Sequence, residues 1–125
     1  MSSELERELN ALVDAIKEMA GVVLIVVFGS YARGEFEEGS DVDLLILFEN
    51  RDVMWENRAE VFRRASESML FTQLSIYSLH EFLVKCNPIF VRSVLRDGKV
   101  LFNARPRLID ELVTRFKNRY PDLLI

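Results

Sequence analysis

The sequence holds one cysteine, Cys86, and one histidine, His80. A lone cysteine excludes an internal disulfide and leaves a reducing, cytoplasmic compartment unopposed. One His and one Cys are too few for the usual zinc site. Positive charge is not in excess: sixteen Lys and Arg face twenty Asp and Glu, a net charge of −4. That argues against a dedicated nucleic-acid binder, which carries a basic stripe. Long apolar runs are missing too. The longest, Val22 to Phe28, has seven residues, whereas a spanning helix needs about 20, so no membrane is expected among the partners. The opening residues Met1-Ser2-Ser3-Glu4 are acidic and unlike a signal peptide. A soluble, cytoplasmic protein is expected.

What is present suits one packed unit. The 125 residues predict a single domain over 1–125, with no room for a separate substrate module. Half the residues are hydrophobic and 29% are charged, a balance that supports a core rather than disorder.

Apolar periodicity predicts a helix from about residue 4 to about 20, opened by a Ser3/Glu6 capping box and ended at Gly21. Val22 to Phe28 reads as a strand buried on both faces. A short helical turn is expected to begin at Ser30, with the hydroxyl as its cap. Asp41 to Phe48 reads as a second strand. Asn50 caps a helix to about Ser68, with Met54, Val61, Phe62, Ala65 and Met69 facing inward. Phe71 to Tyr77 alternates as a third strand: Leu74 and Ile76 on one face, Gln73, Ser75 and Tyr77 on the other. Ser78/Glu81 and Asn87-Pro88 open two helices, the second ending at Asp97-Gly98. Lys99 to Phe102 is a fourth strand. Asn103 opens a last helix on the face Leu108, Ile109, Leu112, Val113 and Phe116, stopped by Pro121. This order predicts an α/β (α+β) domain of three layers around a mixed sheet of about four strands.

The chemistry lies between residues 29 and 43. A buried strand runs straight into Gly29-Ser30 and a helical turn. Glycine lets the backbone come close, serine offers a hydroxyl, and a helix start offers unbonded N–H groups; together they make a phosphate cradle. Asp41 and Asp43 sit two apart on an otherwise apolar strand. Alternation puts both carboxylates on one face, with Cα atoms roughly 6.5–7 Å apart. Like charges that close raise one pKa unless a cation lies between them. Hard oxygen ligands select Mg²⁺, which fills its octahedron with phosphate oxygens. Cradle and carboxylate pair, separated by ten residues, therefore predict a metal–nucleotide site.

Phe28-Gly29-Ser30-Tyr31-Ala32-Arg33-Gly34, then Ser40-Asp41-Val42-Asp43-Leu44, resembles the signature of the nucleotidyltransferase superfamily with the DNA polymerase β-like fold. The small size resembles its minimal nucleotidyltransferase branch. Asn87-Pro88 to Gly98-Lys99-Val100-Leu101-Phe102 is similar to that family's late helix, glycine, strand and aromatic. The resemblance implies that Gly29 and Ser30, with Ser40, bind the triphosphate of ATP or another NTP; Arg33 is either a forked phosphate donor or a solvated surface arginine. Asp41 and Asp43 are then catalytic, holding two Mg²⁺ ions. It also implies a separately encoded, all-helical HEPN partner in a toxin–antitoxin pair, whose tyrosine hydroxyl accepts AMP. Active members carry a third carboxylate on a neighbouring strand; here that strand offers only neutral Gln73 or Ser75, with Glu81, Glu49 or a partner residue as the remaining substitutes. The alternative is accordingly a catalytically weak or inactive nucleotide-binding antitoxin module that neutralises its partner by binding. A stand-alone homodimer acting on a small molecule is a third reading.

The remaining residues read as structure. His80 is a surface or first-turn residue and Cys86 a small buried hydrophobe. Trp55 and the phenylalanines fit core or helix-face spacing. Arg58, Arg63 and Arg64 make a solvated face or a dock for an acidic partner, and Glu35, Glu37 and Glu38 solvate a loop. The apolar end Leu123-Leu124-Ile125 is expected to dock on the domain or on a second chain.

Overall fold

Val22–Phe28 forms strand β1 because a run apolar on both faces can be satisfied only between two layers. The computed structural model describes residues 3–35 and 39–125. Around β1 the order is α1 (Ser3–Lys17), β1, α2 (Gly29–Ala32), β2 (Val42–Phe48), α3 (Arg51–Glu67), β3 (Thr72–Ser78), α4 (Leu79–Val84), α5 (Pro88–Asp97), β4 (Lys99–Asn103) and α6 (Leu108–Arg119). The sheet runs β3-β2-β1-β4. β1 is antiparallel to β2 and β4, while β2 and β3 are parallel. It is the mixed four-stranded α/β sheet that the element order predicts.

Two apolar clusters hold the layers together. On one face Leu12, Ile16, Met54 and Val61 pack on Ile25, Val27, Leu44 and Ile46. On the other, Phe82, Val91, Leu112 and Phe116 pack on Val26, Leu45 and Leu47. The carboxylate-bearing start of β2 lies at the sheet end where β1 finishes, since Phe28 pairs with Asp43. No helix among the described residues is long and apolar enough to cross a membrane.

Local signals explain most boundaries. Asn50 accepts from the Val53 N–H at 3.0 Å and starts α3. Ser78 and Glu81 form a reciprocal capping box, and Asn87 accepts from Ile89 N–H ahead of Pro88. The Ser3/Glu6 box cannot be placed, because the Ser3 side chain lies outside the described residues.

Several expectations are corrected. The first helix ends at Lys17 rather than about residue 20, and a turn carries the chain to Gly21. Helix α2 begins at Gly29, with Phe28 in the cap position and no side-chain cap. Ser30 is therefore inside the turn, where its hydroxyl cannot cap it. Asp41 stands just before β2 rather than within it. Phe62 and Met69 do not face inward: they are 41% and 83% exposed. Phe62 lies under the Arg58 guanidinium, 4.8 Å from its centroid, and Met69 follows the end of α3. Trp55 is likewise exposed and under Arg58. Asn103 ends β4 instead of opening α6; its side chain accepts from Arg105 N–H and turns the chain toward Leu108. Leu123 and Ile125 dock on the second cluster, and Leu124 stays exposed.

Candidate active site

Gly29 is the hinge of the site. Its φ of +69° lies in the left-handed region, which a side chain disfavours. A Cβ placed there would also run into Asp43 Oδ2. Glycine thus makes the turn out of β1 and leaves room for the carboxylate to lie against the backbone. The first turn of α2 follows at once, with Arg33 N–H donating to Gly29 O and Glu35 N–H donating to Ser30 O. Its leading N–H groups are those a helix leaves unbonded, so backbone donors suited to an anion stand beside Asp43.

Asp43 is half-buried and Asp41 exposed. Burial pushes the Asp43 carboxyl up, the Asp41 charge pushes it further, and the Arg33 guanidinium pulls it back. The three groups therefore share one field. Two carboxylates whose charges oppose each other, one partly desolvated, are a hard-oxygen donor pair that a cation would relieve. Among the described residues no group of three or more His, Cys, Asp or Glu gathers anywhere. A divalent ion here would have two protein carboxylates and would draw its other ligands from phosphate and water, which suits Mg²⁺.

Arg33 bonds Glu35 through Nε at 3.1 Å, with its side chain half exposed. Its charge also steadies Asp97 at the end of α5. The forked donor is thus tethered at the rim, within the field of Asp43. Ser40 is half-buried between Gly39 and Asp41. Glu37 and Glu38 lie outside the described residues.

The neutral strand is placed directly. Gln73 is in register with Asp43 across the parallel β2–β3 ladder. Ser75 follows on the same face, and Gln73 is exposed while Ser75 is half-buried. The position facing the carboxylate pair from β3 thus carries an amide, which can ligate but neither adds charge nor serves as a base. Glu81 is engaged elsewhere: its Oε1 accepts from Ser78 N–H at 3.0 Å. His80 is exposed on α4, and Cys86 is half-buried. Arg63 and Arg64 are paired with Glu60 on α3, Arg63 also with Glu67.

Sequence reasoning missed one wall. Phe28, opposite Asp43, meets Phe90 of α5 edge-on at 5.4 Å between centroids. The signal was present: Phe28 is the last residue before the glycine, and Asn87-Pro88 fixes where α5 starts.

A family model described as the nucleotidyltransferase domain matches residues 9–115. A putative protein adenylyltransferase of Methanocaldococcus jannaschii is 33% identical over 103 residues, covering 78% of this chain and 97% of that one. A protein adenylyltransferase, MntA, of Thermococcus cleftensis is 52% identical over 46 residues. That match covers 37% of this chain and spans just under half, 46%, of the Thermococcus protein. Among solved structures, a toxin–antitoxin with AMP-PNP aligns at TM-score 0.61 and 18% identity, over 96% of this chain and 88% of its own. A complex of tri-AMPylated Shewanella oneidensis HEPN toxin with its MNT antitoxin aligns at TM-score 0.56 and 16% identity, over 94% and 87%. At those identities the structural likeness establishes the fold.

Proposed function

This chain belongs to the nucleotidyltransferase domain family, as an MNT-type member, and from that premise we propose that it transfers AMP from ATP to a hydroxyl of a HEPN-type helical partner. The observation that carries the reading is the contact of Gly29 with Asp43. It joins the phosphate cradle to the carboxylate pair at one point of the sheet. The relative named as an adenylyltransferase and the neighbour solved with an AMPylated HEPN toxin support the acceptor class.

Gly29, Ser30 and Ser40 hold the triphosphate, with Arg33 released from Glu35 as a forked phosphate donor. Asp41 and Asp43 hold Mg²⁺, which when bound neutralises phosphate charge and acidifies the acceptor hydroxyl. The acceptor oxygen forms its bond to the α-phosphorus as the bond to pyrophosphate breaks, and the hydroxyl proton leaves to solvent or to a base. On this chain Gln73 orients the acceptor side without taking that proton.

The neutral pair Gln73 and Ser75 favours a second reading, a module that silences its partner by binding alone. One experiment separates them. Purified protein with Mg²⁺ and α-labelled ATP is expected to label a co-expressed HEPN partner. Asp41→Asn with Asp43→Asn lowers that labelling by at least about 10²–10³, the scale of losing one preorganised electrostatic contact. A partner left unlabelled by wild type, yet silenced equally by wild type and double variant, establishes the binding module instead.

A further inference from the structure

We propose that a cavity between β3 and the start of α5 receives the purine base of the nucleoside triphosphate; this rests on reading the carboxylate pair as the nucleotide site. The cavity holds about 460 Å³ and is lined by Ser75, Tyr77 and Glu81 and by the Lys85, Cys86, Asn87 and Phe90 stretch. Each of its walls is reached from Asp43 through one intervening residue. On the strand side, Gln73 is in register with Asp43, and Ser75 follows on the same face roughly 6.5–7 Å along. On the helix side, Phe28 pairs with Asp43 and its ring meets Phe90. A second edge contact, to Phe82 at 6.3 Å, fixes the Phe90 ring.

The lining suits a flat heteroaromatic ring. Tyr77 and Phe90 offer π faces, on which any base can stack. Asn87 Oδ1 is committed to Ile89 N–H, which leaves the amide nitrogen to donate to a ring nitrogen. Glu81 Oε1 is committed to Ser78 N–H, which leaves the second oxygen to accept from an exocyclic amine. A protein acceptor fits less well. It must bring its hydroxyl to the α-phosphate from solvent, and the exposed Gln73 edge, which does not line the cavity, gives that approach.

Cys86, the only cysteine, makes the cavity measurable in the unaltered protein. Its alkylation by N-ethylmaleimide is followed by intact mass, at alkaline pH because burial pushes the thiol up. With Mg²⁺ present, ATP is expected to slow the reaction, while saturating inorganic triphosphate leaves it unchanged. In parallel, Ser75→Trp is expected to weaken ATP binding about tenfold, within the range of losing one stacked base, and to leave inorganic triphosphate binding intact. Equal Cys86 reactivity in both ligands, or ATP binding no tighter than triphosphate, overturns the base cavity and leaves the nucleotide reading standing. A wild-type protein that binds neither ligand overturns both. A Ser75→Trp protein that binds ATP normally but labels no partner assigns the cavity to the acceptor and overturns the proposal.

Discussion

At the scale of single residues, Gly29 and Asp43 determine each other. Gly29→Ala meets a left-handed backbone and the Asp43 carboxylate at once, so a loss of about 1–3 kcal/mol in stability is expected, measured by urea denaturation. The carboxylate is displaced as well, and AMP transfer falls with it. Asp43 itself opposes folding of the metal-free protein. Its carboxyl is pushed above the ordinary 3.8 by burial and then by Asp41. The folded state therefore holds its proton more tightly than the unfolded state, and stability is lost as pH rises through the raised value. With chelator present, Asp43→Asn is expected to melt above wild type at pH 7, and the gap to close below about pH 4. Thermal melts across that range check it, and a variant that melts lower at pH 7 contradicts the electrostatics described.

Elements show which parts of the fold can be read in advance. β1 was legible because seven apolar residues leave one way to be buried, and α3, α4 and α5 because Asn50, Ser78 and Asn87 each make the cap their type suggests. The start of α6 was not. Asn103 makes a side-chain turn with Arg105 rather than a helix cap, and both uses of asparagine look alike in sequence. Phe62 misled for another reason. Helical spacing assigns it a core face, but an arginine one turn earlier covers its ring instead. The candidate site was legible in its residue types, whereas the fit of Gly29 against Asp43 and the wall made by Phe28 and Phe90 needed strand register to appear. The capping box at α4 gives this scale its own prediction. The Ser78 backbone N–H, and then its side chain, hold the Glu81 carboxyl below its usual range, so that stability is present above about pH 4.5 and fades as pH falls through the lowered value. Glu81→Gln is expected to melt below wild type at pH 7 and to match it in acid. Ser78→Ala costs about 1 kcal/mol by the same melts.

Taken as a whole, the molecule gathers its chemistry at one end of the sheet. β1 finishes where β2 and β3 begin, because β1 is antiparallel to β2 while β2 and β3 are parallel. Glycine turn, carboxylates and neutral amide therefore meet without any long excursion of the chain. The neutral amide falls on β3, one of the two edge strands of the sheet. Asp41→Asn with Asp43→Asn is expected to leave this assembly standing, so far-UV circular dichroism of the double variant should overlay that of wild type while labelling disappears.

That edge strand carries a liability of its own. Thr72–Ser78 reads Thr-Gln-Leu-Ser-Ile-Tyr-Ser, seven residues without a lysine, a proline or any charge, whereas the opposite margin begins with Lys99. One row of its amides and carbonyls finds no ladder among the described residues, and nothing in its composition repels a newcomer. High concentration is then a stress to which this edge is open. Concentrated stocks held alone should thicken into β-rich oligomers that dilution slowly reverses.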